Sequence, residues 1–309
     1  MMTNNDATYH VPVMLQECLD GLAIKKDGIY VDVTFGGGGH SREIFKLLSP
    51  EGKLISFDQD PDAAKNAWDA PNFHFVASNF AFLKNHLKMM GISHVDGILA
   101  DLGVSSHQFD DAKRGFSIRT NERLDMRMNQ NGDFDAAKIV ATYDEEQLAK
   151  IFREYGELDH PYKTAVELVK ARNKGKISTT GELMEALAPV APKFKDHKFF
   201  AQVFQALRIE VNKEMEVLEK FLEQTADVLK PGGRLVVMSY HSLEDRPVKN
   251  LMKRGSLDGK IEKDFFGKIL KPFEEVNRKP ISPSEEEIQR NTRARSAKLR
   301  IAKRVEDGK

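Results

Sequence analysis

One cysteine in 309 residues, Cys18, leaves no partner for an intrachain disulfide and too few thiols for a Cys-based zinc site, as expected in a reducing compartment. Lysine plus arginine and aspartate plus glutamate balance at 47 each. The chain as a whole therefore carries no electrostatic footprint for nucleic acid, and only local patches could supply one. No apolar run approaches the ~20 residues that a membrane span needs. The opening "MMTNNDATYH" has neither the basic nor the apolar part of a secretion signal. These absences predict a soluble, cytoplasmic protein with no membrane partner. His74, His86, His94 and His197 are scattered without ligand spacing, so no metal is expected. Ser105 and Ser106 lack the glycine frame of a nucleophile elbow and read as turn residues.

What is present is an alternation of strand and helix. "GIYVDVTF" (28–35), "KLISFD" (53–58), "FHFV" (73–76) and "VDGILAD" (95–101) read as strands. Helices are expected between them: 41–48 capped by Ser41, one opened by Pro61, and one over 80–90. Short links between such elements predict a parallel, doubly wound α/β sheet. From 111 to about 209 strand signals almost vanish, and apolar residues recur at helical spacing. The alternation then resumes with one long helix (204–230), a "PGG" stop, a strand at 234–240, a helix at 242–254 started by Ser242, and a basic edge strand in "RSAKLRIAKR". The expected organisation is an α/β domain made of 1–110 and 205–309, interrupted by a helical insertion, 111–204.

"YVDVTFGGGGHS" runs a strand through four glycines into a helix, and Asp58 ends the next strand. In α/β folds such glycines let backbone amides approach a nucleotide-type ligand, and an acid at that second position accepts hydrogen bonds from ribose. A dinucleotide fingerprint requires a third glycine where Ser41 stands, and His40 is bulky where a pyrophosphate would sit. S-adenosylmethionine has no phosphate, so the loop leans toward that cofactor. Asp101 closes the fourth strand, on the edge where open α/β sheets bind ligands. A carboxylate there could orient an exocyclic amine of a base, a poor nucleophile whose lone pair is delocalised. His241 follows the fifth strand on the same edge.

The segments "YHVPVMLQE", "GIYVDVTFGGGGHS", "FDQDP", "VDGILADLGVSSHQFDDAKRGFS", "LDMRM", "FQALRIEVN", "LKPGGRLVVMSYHSLEDRPVK" and "NTRARSAKLRIAKR" closely resemble the RsmH (MraW) family, from Tyr9 to Arg304. The family's members methylate N4 of a cytidine in the decoding region of 16S rRNA. The resemblance implies a Rossmann-like class I S-adenosylmethionine-dependent methyltransferase domain with a helical insertion. It also implies 16S rRNA, within the small ribosomal subunit, as partner. By position it implies cofactor contacts from Gly38, Gly39, His40, Asp58, Phe80, Asp101 and Gln108, and catalytic roles for Asp101 and His241. Departures from the family pattern, such as Glu122-Arg123 before "LDMRM", fall in or beside the insertion.

RNA contacts are expected from a basic stretch that includes Arg114 and Arg127, with Phe109 or Phe116 stacking on a base flipped into a pocket between the sheet edge and the insertion. The tail is the other candidate: Arg293, Arg295 and five further cations occur between 288 and 304 without an acid. Two other function classes stay open at this level, a nicotinamide-dependent oxidoreductase and a non-catalytic RNA-binding protein.

Overall fold

The computed structural model describes residues 12–306, so Tyr9 to Val11 of the first family motif lie outside the described residues. The chain begins with α1 (Leu15–Leu22), β1 (Ile29–Asp32), α2 (Gly39–Lys46), β2 (Lys53–Asp58), β3 (Phe73–Ala77), α3 (Leu83–Met89) and β4 (Val95–Asp101). Helices follow: α4 (Ser106–Asp110), α5 (Ala136–Thr142), α6 (Glu145–Glu154), α7 (Pro161–Arg172), α8 (Thr180–Leu187), α9 (Asp196–Asn212) and α10 (Glu214–Val228). The remainder is β5 (Leu229–Ser239), α11 (Ser242–Arg254), β6 (Phe273–Glu275), α12 (Glu285–Arg290) and β7 (Lys298–Arg304). Two compact units result: the residues up to Gly103 together with those from Glu216 on, and Val104–Met215. None of the described helices is long and apolar enough to cross a membrane.

The first unit is built on a seven-stranded sheet of order β3-β2-β1-β4-β5-β7-β6. Its first five strands run parallel, β7 pairs antiparallel with β5, and β6 pairs antiparallel with β7, a mixed α/β sheet. Parallel strands with both faces covered read as continuous apolar runs, and β4 is buried from Val95 to Ala100. One sheet face packs Leu22, Tyr30, Ile44, Leu54 and Met238 into a single core. The second unit has its own core, in which Leu148, Phe152, Leu168, Leu183, Phe204 and Leu207 meet. Capping boxes start α6 at Asp144 and α8 at Thr179.

Several expected boundaries shift, each for a local reason. The helix expected over 41–48 starts at Gly39, and Ser41 is not its cap. Gly38 makes the turn instead, and the buried Ser41 hydroxyl donates to Asp32 Oδ2 at 2.6 Å. Pro61 precedes only a 3₁₀ turn, Ala63–Asn66. The single helix expected over 204–230 is two, broken at Lys213, whose backbone is left-handed (φ 52°). Asn212 holds that break by donating to the Met126 carbonyl. Neither Gly nor Pro marks the break, so periodicity runs through it. The "PGG" segment is a bulge inside β5, where pairing with β4 shifts register between Val95 and Gly97. Ser242 lies inside α11, and His241 is its N-cap.

The basic tail strand is not an edge. β7 pairs with β5 on one side and β6 on the other. Arg300 and Arg304 are buried, so two of the tail's cations are withdrawn from any phosphate contact. Arg300 grips Asp245 through Nε at 2.6 Å and Nη2 at 3.0 Å. Removing one partner of a buried ion pair strands the other, which destabilises by about 3–5 kcal/mol. Arg300→Met is accordingly expected to lower the free energy of unfolding in urea by that amount. Adding Asp245→Asn should recover part of the loss.

Candidate active site

The parallel strands β2, β1 and β4 are neighbours, and each ends in an aspartate: Asp58, Asp32 and Asp101. Their carboxyl ends share one edge of the sheet, the ligand-binding edge of open α/β folds. Asp32 organises it. Its Oδ1 accepts the Thr34 N–H at 3.0 Å and its Oδ2 the Ser41 hydroxyl. Thr34 Oγ1 in turn accepts the Asp101 N–H at 2.7 Å, tying the end of β4 to the loop after β1.

The four glycines differ in what forbids a side chain. Gly38 has φ 78°, and a Cβ there would sit 2.9 Å from the Phe35 ring. A Cβ on Gly39 would lie 2.5 Å from Pro12. These two are small because the protein itself crowds them. Gly36 donates its N–H to Asp58 Oδ2 at 2.8 Å, and its carbonyl accepts from Asn66 at 3.1 Å. Gly37 is exposed, and a Cβ on it would meet nothing within 4 Å. Packing does not require a glycine at this position.

Asp58 also accepts the Asp60 N–H at 2.8 Å through Oδ1. Burial pushes its carboxyl up to about 6; the two N–H donors oppose this, while Asp60 and Asp32 add to it. Asn79 reaches across from the loop after β3 to Gln59 at 2.8 Å. Phe80 follows Asn79, its ring 5.3 Å from that of the buried Phe221.

Asp101 is held from two sides. The Tyr240 hydroxyl donates to its Oδ1 at 2.8 Å, and His40 Nδ1 lies 3.8 Å from its Oδ2. The His40 ring is buried, and its Nε2 donates to the Val13 carbonyl at 3.1 Å. That bond leaves Nδ1 as the nitrogen facing the carboxylate. Burial raises the Asp101 carboxyl to about 6, with His40 and Tyr240 pulling it down and Asp32 and Glu244 pushing it up. The Tyr240 phenol is itself raised far above its ordinary value by burial and by Asp101. His241 lies beside this pair in sequence, but its Nε2 is 3.1 Å from Glu244 Oε1. The other Glu244 oxygen accepts the Tyr240 N–H at 2.8 Å, so His241 and Tyr240 are braced by one buried acid.

The remaining expected residues belong to the second unit or the tail. Gln108 is buried, and its side chain closes a capping box with Ser105 at the start of α4. Phe109 is exposed, with its ring 6.5 Å from that of Phe116. Of the basic stretch around it, Lys113, Arg119 and Arg123 are exposed, while other members turn inward. Arg114 is 5% exposed and donates to the carbonyls of Arg127 and Met128. Phe116 is 6% exposed and lies in the core of the unit. Arg127 is bound to Asp125 through two nitrogens at 2.7 and 2.6 Å, and also to the Gly132 carbonyl. Arg114 and Phe116 are thus turned inward, and the half-buried Arg127 is engaged by the unit's own carboxylate and backbone. Arg293 and Arg295 are exposed in a 3₁₀ turn before β7.

Asp32, Thr34 and Tyr240 were not singled out from the sequence. The signal for Asp32 was an acid inside an apolar strand, which is buried only when bonded. Tyr240 carried none.

A family model described as the MraW methylase family matches residues 7–305. The chain is 58% identical over 305 residues to "Ribosomal RNA small subunit methyltransferase H" of Parabacteroides distasonis, covering 98% of this chain and 100% of that one. It is 56% identical over 303 residues to the protein of the same name from Bacteroides thetaiotaomicron, again with 98% and 100% covered. Among solved structures, an rRNA methylase from Streptococcus thermophilus superposes with a TM-score of 0.43 at 12% identity, over 96% of this chain and 100% of that one.

Proposed function

The chain belongs to the MraW methylase family, and we propose that it transfers the methyl group of S-adenosylmethionine to N4 of a cytidine in 16S rRNA of the small ribosomal subunit. The observation that carries the reading is the row of three aspartates along one sheet edge, beside an exposed glycine. Burial raises the carboxyls of two of them to about 6, and the neighbouring Asp32 adds a smaller part to both shifts. Such an edge repels a pyrophosphate and attracts a sulfonium. That contrast disfavours a nicotinamide dinucleotide and suits S-adenosylmethionine. Asp58 would accept the ribose hydroxyls, Gly37 would lie against the cofactor, and Phe80 would flank the adenine.

Asp101 would accept a hydrogen bond from the cytidine amine, turning its lone pair toward the sulfonium methyl. The donor is already activated, so alignment supplies most of the acceleration. The bound cofactor would supply an activated methyl group and a neutral thioether leaving group. Asp101 would hold the amine in line as the N–C bond formed and the S–C bond broke, and the surplus amine proton would pass to water or to Asp101. Loss of the positive charge weakens the hold of the acidic edge on the spent cofactor.

Incubation with methyl-labelled S-adenosylmethionine and undermethylated small subunits tests the assignment. Label is expected in 16S rRNA, and its absence there with both assembled subunits and free rRNA would overturn it. Gly37→Ala probes the cofactor contact separately. Gly37 does not have positive φ and the added methyl meets open space, so stability should change by less than about 0.5 kcal/mol. Affinity for S-adenosylmethionine should fall about tenfold or more in calorimetric titration.

A further inference from the structure

Between α11 and β6, residues 260–271, "KIEKDFFGKILK", form a small hairpin. Lys263 bridges Ile269, the Leu270 N–H reaches the Glu262 carbonyl, and the Asp264 N–H reaches the Lys268 carbonyl, the latter two at 2.9 Å. Gly267 turns the tip at φ 81°. The Asp264 carboxylate points into the turn and accepts the N–H groups of Phe266 and Lys268, each at 2.9 Å. What this ordered tip presents is two adjacent phenylalanines, 98% and 90% exposed, with ring centroids 5.6 Å apart. Leaving a phenylalanine in water forgoes about 1.5–3 kcal/mol of burial. Lys263 and Lys268 flank the rings and are exposed, and the lone acid between them is the one engaged in the turn.

We propose that the 260–271 hairpin is an RNA-docking finger, in which Phe265 and Phe266 stack on unpaired bases of the rRNA substrate and Lys263 and Lys268 contact its phosphates. This rests on the reading of 16S rRNA as substrate. Aromatic faces flanked by cations are the usual combination for unpaired RNA, because every base has a π-face and every linkage a negative charge. A protein-docking patch would gain from the apolar surface but not from lysines on both sides of it.

The test compares wild type with Phe265→Ala/Phe266→Ala in methylation of protein-free 16S rRNA and of small subunits. Stacking is worth about 1–3 kcal/mol per base, so KM for RNA should rise at least tenfold. Turnover at saturating RNA and affinity for S-adenosylmethionine should stay within twofold. Both rings lie outside the core, so folding should be unaffected, as thermal unfolding would verify. Phe265→Leu/Phe266→Leu should be as impaired as the alanine pair, and Phe265→Trp/Phe266→Trp should keep its affinity. Lys263→Ala/Lys268→Ala should flatten the salt dependence of binding. An alanine pair with unchanged KM for RNA overturns the inference. So does one that binds free rRNA normally and loses only the assembled subunit, which would make the finger a protein contact. An inactive wild type would instead count against the methyltransferase reading itself.

Discussion

Asp58→Ala is expected to weaken S-adenosylmethionine binding at least a hundredfold while leaving the protein folded. The side chain sits at the end of β2 with one oxygen on the Gly36 N–H and the other on the Asp60 N–H. A carboxylate so placed shapes the glycine loop, and under the proposed function its remaining lone pairs would accept from ribose hydroxyls. Hydrogen bonds to a charged group contribute about 1.5–3 kcal/mol each, and losing two of them gives at least a hundredfold. Stability should change less. Burial raises the Asp58 carboxyl to about 6, so its ionisation disfavours the folded state. The stabilisation it offers is present below its unfolded value and is lost as pH rises toward 6. The alanine variant should therefore compare better with wild type at pH 7 than at pH 4. A calorimetric Kd within threefold of wild type would place the ribose elsewhere.

Asp101→Asn is expected to lower kcat about a hundredfold, with a smaller loss of affinity for the cofactor because one of the three charges on the acidic edge is removed. The amide keeps the shape and can still accept from Tyr240, but it cannot offer a charged acceptor to an amine; losing one such preorganised interaction costs about 10²–10³ in rate. The pH profile gives the sharper reading. With its carboxyl near 6, Asp101 in wild type is ionised above that pH and protonated below it. Single-turnover rates should rise through pH 6 and level off above it, and the Asn variant should lack that limb. Tyr240→Phe, which removes the 2.8 Å bond that favours the ionised form, should move the midpoint upward. A wild-type rate independent of pH from 5 to 8 would remove Asp101 from the chemistry.

Much of this was legible in the chain. β2 and β4 lie where "KLISFD" and "VDGILAD" placed them, because buried parallel strands are continuous apolar runs closed by an acid. Asp58 and Asp101 could be read from those ends. The glycine loop was legible as a loop but not glycine by glycine. That Gly39 makes way for Pro12, and that Gly37 faces outward, follows only from the folded path. The bracing of Asp101 by Tyr240 and His40 joins residues 139 and 61 positions away in sequence, which no local pattern encodes. Charge patterning misled where arginines turn inward. Arg114, Arg127 and Arg300 look like a phosphate-binding surface in sequence and end on carbonyls or carboxylates in the fold. Exposure is a tertiary property, and the exposed Lys263 and Lys268 lie in a segment that composition did not mark.

The most direct measurement is the identity of the nucleoside that receives the methyl group. Small subunits methylated by the wild-type protein with labelled S-adenosylmethionine would be digested to nucleosides and resolved by mass and retention. The label is predicted in N4-methylcytidine, and the Asp101→Asn variant should form it at about one hundredth of the rate. Label in 5-methylcytidine or in a 2′-O-methylated nucleoside, with none in N4-methylcytidine, would contradict the placement of an exocyclic amine against Asp101.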